Sequence, residues 1–127
     1  MSKYLIILSV FCISCSKPLE LKDFDKNNWV SGKGGCSSSR IEQLDFLKKN
    51  NDLFIGVNEA SIVETLGKAD KRELVTRMGR KYYYFITPSI TCSSKGEKNP
   101  PAVIVEFEQR GIVKMIIVPS KRAILKK

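Results

Sequence analysis

The chain has 127 residues, 43% of them hydrophobic and 28% charged, the make-up of one foldable globular domain with no room for a second catalytic one. It contains no histidine, which excludes Ser-His-Asp and Cys-His nucleophile activation, histidine acid-base work and every zinc site that needs imidazole. Lysine and arginine number 22 against 13 acids, a formal +9 that favours anionic partners: lipid head groups, an acidic protein face or nucleic acid.

Lys3 precedes an uncharged apolar run, residues 4–14 (YLIILSVFCIS), that stops directly before Cys15. The run has the shape of an export signal and is well short of the roughly 20 residues that cross a bilayer as a helix. Residues 1–14 are therefore expected to be removed as a signal peptide. Cys12-Ile13-Ser14-Cys15 resembles the bacterial lipobox, in which a small residue precedes a cysteine that is diacylated and becomes the new N-terminus. Cys12 stands where leucine is usual. Cys15 is the expected lipidation site, and ordinary cleavage nearby that leaves it unmodified is the alternative. A redox or metal reading of this C-x-x-C fails, because no partner ligands lie beside it. Cleavage discards Cys12 and lipidation occupies Cys15, which leaves Cys36 and Cys92 for one disulfide in an oxidising envelope. Two separate buried thiols are the alternative.

Residues 15–28 are polar, carry one proline and show no sustained periodicity, so they read as a flexible tether, with the folded domain over 29–120. Ser31-Gly32-Lys33-Gly34-Gly35 lacks the spacing of a nucleotide-binding P-loop and reads as a flexible turn that lets Cys36 reach its partner. Ser39-Arg40-Ile41-Glu42 is a capping box, and Ile41, Leu44, Phe46 and Leu47 predict a first helix that runs to Lys49. Asn50-Asn51-Asp52 breaks it. A second helix opens at Asn58, whose side chain can cap Ser61, carries Ile62, Val63 and Leu66, and stops at Gly67.

From Glu73 the apolar period changes to two and predicts strands over 74–78, 81–87, 102–108 and 112–118, with tight turns at Gly79-Arg80 and Arg110-Gly111. The 88–101 loop carries Cys92 and is too polar for core. The expected fold class is α+β, two N-terminal helices packed on a small antiparallel β-meander of three to four strands.

Residues 55–70 resemble the G-x-[ST]-x-x-x-V-x-x-x-L-G-x-P-D segment of the BamE/SmpA-like small outer-membrane lipoproteins, with Gly56, Asn58, Ile62, Leu66 and Gly67 on the motif and Ala69 where proline is usual. The resemblance covers roughly residues 36–118 and marks a divergent member, since the 88–101 loop is longer than a plain member needs. It implies a non-enzymatic binding or scaffolding module, held by its lipid on the outer membrane and in contact with the β-barrel assembly machinery and anionic lipid. Similar modules in secreted β-lactamase-inhibitor-like proteins instead imply a domain that binds an enzyme across its sheet.

The remaining chemical candidates are weaker. Glu106 and Glu108 share one strand face like a glycosidase pair, but Val103, Val105 and Phe107 occupy the other, so the glutamates read as the wet side of a half-buried strand. Tyr82, Tyr83 and Tyr84, beside Arg77, Arg80 and Lys81, read as an aromatic protein-contact patch, with plain packing between sheet and helices as the alternative. Export argues against a nucleic-acid partner for these residues. Residues 121–127 read as a basic tail in which Lys121, Arg122, Lys126 and Lys127 contact anionic lipid or simply remain solvated. No catalytic residue, cofactor or metal is expected.

Overall fold

The computed structural model describes residues 19–75 and 79–125. The expected signal peptide, Cys15, the first part of the tether, Arg77, Lys126 and Lys127 lie outside the described residues.

Order begins earlier than the periodicity predicts. The Asp25 side chain accepts a hydrogen bond from the Asn28 amide at 3.0 Å and caps a short helix, α1 (Lys26–Ser31), that buries Trp29. Ahead of it Leu19, Leu21 and Phe24 pack against the core, and the Phe24 ring centroid lies 6.0 Å from Trp29 and 5.9 Å from Phe46. Residues 19–28 therefore belong to the domain, which corrects both its expected start at 29 and the expected tether over 15–28. Three apolar residues scattered among charges make no stripe, yet all three pack against the core.

The glycines that follow are constrained, not flexible as expected. Gly34 and Gly35 sit in a 3₁₀ turn (Lys33–Gly35) at φ 72° and 73°, and a Cβ on Gly35 would lie 2.0 Å from the Thr87 carbonyl oxygen. The Gly34 carbonyl accepts hydrogen bonds from the Ser89 amide (3.2 Å) and hydroxyl (2.8 Å). Cys36 is disulfide-bonded to Cys92, 56 residues further along the chain. The 88–101 loop is thus pinned to this turn by backbone, hydroxyl and sulfur together.

The expected first helix divides in two. Ser37 rather than Ser39 supplies the cap, a 3₁₀ segment (Ser38–Gln43) follows, and α2 covers Leu44–Lys49. Within the 3₁₀ segment Arg40 turns inward and is buried. A further 3₁₀ turn (Asn51–Phe54) leads to α3 (Glu59–Leu66), which begins and ends as predicted. Asn58 Oδ1 accepts from the Ser61 amide at 2.8 Å, Ile62 and Leu66 are buried, and Gly67 stops the helix at φ 79°.

The sheet is an antiparallel meander in the order β1-β2-β3-β4, formed by β1 (Lys71–Val75), β2 (Gly79–Phe85), β3 (Ala102–Phe107) and β4 (Val113–Ile117). Helices followed by a four-stranded antiparallel sheet make this an α+β domain, as the sequence predicts. The first hairpin is shifted: Gly79 already pairs with Val75 and Arg80 with Leu74, so β1 starts at Lys71 and Gly79-Arg80 belongs to the ladder instead of the turn. Gly79 is required there, since a Cβ would lie 1.9 Å from the Phe107 carbonyl oxygen. The turn at Gly111 is as expected, with φ 78° and its amide donating to Glu108 O at 2.9 Å.

Alternation along the strands, with a bulge in β4 that skips Lys114 so that Val113 and Ile116 fall on the same side, sends Tyr82, Tyr84, Val103, Val105, Phe107, Val113 and Ile116 to one face of the sheet, where they join Trp29, Leu44, Leu47, Ile62 and Leu66 in a single core. A last helix, α4 (Lys121–Leu125), buries Ile124 against the same core. The expected free tail from residue 121 is corrected accordingly: a single apolar residue at the right phase docks the segment that carries Lys121 and Arg122.

Arg40 and Asp70 tie these pieces together. Arg40 Nη1 donates to Asp70 Oδ2 at 2.6 Å and to Phe85 O at 3.0 Å, and its Nε donates to Trp29 O at 2.9 Å. Asp70 also accepts from the Phe85 amide and the Gly34 amide, both at 2.8 Å. The two side chains are only 1% and 3% exposed. Removing one partner of a buried pair strands the other charge and costs about 3–5 kcal/mol, so Asp70→Asn and Arg40→Met should each lower the denaturant midpoint sharply. The double variant Arg40→Met, Asp70→Leu should recover much of the loss in equilibrium urea unfolding. For the disulfide, the chain-entropy argument gives a loop of this length roughly 4 kcal/mol. The Cys36→Ser, Cys92→Ser variant should lose stability on that scale, and thiol alkylation without reduction should leave the wild-type pair unmodified.

Candidate protein-contact face

Among the described residues the helices pack on one side of the sheet, so the residues between the core positions form a second face that no described element covers. Cross-strand register arranges them in two rows: Lys71, Tyr83, Ile104 and Ile117 in one, and Glu73, Lys81, Glu106 and Met115 in the other. Ile117 is 44% and Met115 42% exposed, and Ile104 and Tyr83 are half-buried between their neighbours. The Tyr83 hydroxyl donates to Glu73 Oε2 at 3.1 Å, and Lys71 Nζ stands 5.1 Å from the Tyr83 ring centroid. Lys81 Nζ meets Glu106 Oε1 at 3.2 Å. The result is an apolar strip with paired charges beside it, an arrangement common to protein-binding surfaces.

The two edges of the sheet differ. The start of β4 is covered by the approach to α3: the Gly56 amide donates to Val113 O at 2.9 Å and the Val113 amide to Val57 O at 2.8 Å. β1 pairs only with β2 among the described strands, and its Leu74 is 82% exposed. Leu74 pairs with Arg80 on the helical side of the sheet, beyond the reach of the helices, so the exposed edge strand presents an apolar side chain there and not on the open face.

Ionisation follows these contacts. The hydrogen bond and charge of Glu106 raise the Lys81 ammonium above its ordinary value. Burial first, and then the hydrogen bond to Glu73, raises the Tyr83 phenol. Burial pushes Tyr84 much further in the same direction.

The expected aromatic patch divides between the two faces. Tyr82 and Tyr84 are buried and unavailable to a partner, which corrects their assignment as contacts. Tyr82 stacks edge-on against Phe107 with centroids 4.8 Å apart, and its hydroxyl donates to Glu59, whose carboxylate oxygens also lie 3.3 Å from Arg80 Nη1. The Tyr84 hydroxyl donates to Gly67 O at 2.9 Å. Tyr83 alone reaches the open face, because strand alternation sends neighbours to opposite sides. Glu106 lies on the wet side as predicted, while Glu108 lies past the end of β3 and pairs with Arg110 at 3.0 Å, so the two carboxylates face no common site. Lys121 and Arg122 stand on α4 near Asp45. Among the described residues no group of three potential ligands could hold a metal.

Sequence reasoning missed Lys71, Ile104, Met115 and Ile117 as members of the face. Their signal was present in the alternation, but Ile104 sits inside the continuous apolar run Val103-Ile104-Val105, where period two is invisible.

Among the described residues these features define a two-layer α+β domain with one sheet face uncovered. No family model, curated protein or solved structure matches the chain.

Buried Tyr84 links this sheet to pH. A phenol whose folded value is raised binds its proton more tightly than the unfolded chain does, so its contribution is complete below the ordinary value of 10.0 and is lost as pH climbs above it. Unfolding free energy should fall steeply above pH 10, and Tyr84→Phe should flatten that slope at the cost of the hydrogen bond to Gly67. Denaturant midpoints measured across the alkaline range, alongside tyrosinate absorbance, check both effects.

Proposed function

We propose that this protein is a non-enzymatic, lipid-anchored binding protein of the cell envelope that holds a protein partner on the open face of its sheet. The observation that carries the reading is the strip formed by Tyr83, Ile104, Met115 and Ile117, which is uncovered among the described residues while the described helices pack on the other side. The export-like leader, the lipobox-like residues before Cys15 and the Cys36–Cys92 disulfide support an oxidising envelope compartment. Anchoring by acyl chains on Cys15 is the proposed attachment. Among the described residues no helix is long and apolar enough to cross a membrane.

The resemblance of residues 55–70 to the BamE/SmpA-like lipoproteins favours the outer membrane and a role accessory to β-barrel assembly. A second reading, inhibition of an envelope or secreted enzyme, draws on the same open face, because an uncovered sheet offers the broad surface an enzyme inhibitor needs. Anionic lipid is a further partner in this proposal, met by Lys121, Arg122, Lys126 and Lys127.

Two substitutions test the proposal in cells. Cys15→Ser should move the protein from the membrane fraction to an uncleaved or soluble form, and unchanged partition would rule out the lipid anchor. Ile117→Asp should leave the fold intact, because the residue is 44% exposed, and weaken capture of the partner by more than tenfold. Co-purification of barrel-assembly subunits with the wild type indicates scaffolding, and a single soluble enzyme indicates inhibition. Equal recovery of the same partner by Ile117→Asp would remove the sheet face from the reading.

A further inference from the structure

We propose that β1 takes up an extended segment of a protein partner as an added antiparallel strand, and that this segment carries, in chain order, two apolar residues, a basic one and two acids. The proposal rests on the partner-binding reading of the sheet and gives its edge a separate share in that role.

β1 ends the strand order and is hydrogen-bonded on one side, to β2. In a strand bonded on one side, alternate N–H and C=O groups point outward, and another strand satisfies them as a row. The opposite end of the sheet is partly closed, because the Gly56 amide donates to Val113 O and the Val113 amide to Val57 O. Along β1 the residues Lys71, Arg72 and Leu74 are all exposed. Charges on an edge strand commonly guard it against pairing, and here the guard is incomplete. Leu74, opposite Arg80, is the most exposed large hydrophobic residue among those described.

The side chains of β1 specify the occupant. Lys71 stacks on Tyr83 on the open face and Arg72 on Tyr82 on the helical face, and neither joins an ion pair among the described residues. A strand beside β1 sets its residues directly opposite these, where opposite charges attract and like charges repel. Acids therefore belong opposite Lys71 and Arg72, a base opposite Glu73, and apolar side chains opposite Leu74 and Val75. The main-chain bonds supply affinity and these side chains supply choice. The residue opposite Lys71 also extends the row Lys71, Tyr83, Ile104 and Ile117, so the edge is continuous with the apolar strip of the open face.

A second copy of β1 (Lys71–Val75) meets these demands poorly. Symmetric pairing about Lys71, Arg72 or Glu73 sets like charges opposite each other, and pairing about Leu74 or Val75 leaves Lys71 and Arg72 past the end of the other copy's strand. The occupant is a segment of a different protein.

The full-length protein, with the Cys36–Cys92 disulfide intact, and a fluorescent capped peptide with the core Ile-Val-Lys-Glu-Glu between Gly-Ser flanks provide the test, read by anisotropy. Leu74→Asp, whose exposed site leaves the urea midpoint unchanged, should weaken binding by at least roughly tenfold. Lys71→Glu should weaken it several-fold, and the peptide ending Lys-Glu-Lys should recover that loss. N-methylation of one set of alternate peptide amides should abolish binding and that of the other set should leave it, because only one set faces β1. Ile117→Asp, on the far strand of the sheet, should bind the peptide as the wild type does. No binding by the wild type, equal binding by Leu74→Asp, or equal sensitivity to the two methylation sets would overturn the strand addition. If Ile117→Asp still loses its partner in cells, any of these results leaves the open-face reading standing. Self-association of the wild type that Leu74→Asp abolishes would assign the edge to a second copy and overturn the proposal as well.

Discussion

The fold depends on a buried ion pair whose hydrogen bonds reach most of its parts. Arg40, in the 3₁₀ segment, and Asp70, in the bend before β1, lie 30 residues apart and come together at 2.6 Å beneath Trp29 and Tyr84. Desolvating two charges is costly, and the pair is tolerable only because its remaining capacity is used: Arg40 donates to carbonyls of α1 and β2, and Asp70 accepts amides from the Gly34 turn and from β2. Each of those bonds fixes the position of a segment with little regular structure of its own. The inward path of Arg40 accompanies the tighter 3₁₀ coil over 38–43, and the guanidinium 4.9 Å from the Trp29 ring centroid closes the end of the core.

The disulfide strengthens the same end of the molecule. Gly34 joins both systems, because its amide binds Asp70 while its carbonyl receives the Ser89 amide and hydroxyl from the loop that holds Cys92. A polar loop of fourteen residues with little secondary structure is thus held in place by one covalent bond, one bridge between Ser89 and Glu97 and a few buried donors. A small domain with modest helices gains from such ties, since a core of this size leaves only a small margin of stability.

The two faces of the sheet differ in kind. One face is committed to the core, so its tyrosines are structural: Tyr82 is held by Glu59 and Tyr84 by Gly67. The other face carries Tyr83, Ile104, Met115 and Ile117, which no described element covers.

How much of this the sequence determined follows from the range of the interactions involved. The α+β class, α3 with its Asn58 cap and Gly67 stop, the turn at Gly111 and the Cys36–Cys92 pairing were legible because each rests on local periodicity, a cap a few residues away, or elimination among few cysteines. The shifted first hairpin was not, since cross-strand pairing, and not propensity, placed Gly79 in the ladder. Nor was the role of Arg40, which reads as an ordinary cap-box residue until Asp70 and the Phe85 backbone meet it. Tyr82, Tyr83 and Tyr84 look alike as a triplet, and only the packing of helices on one side of the sheet decided that two are core and one is surface. Contacts between residues tens of positions apart leave no periodic trace in the chain, so the open face and the buried ion pair exist only once the layers have come together.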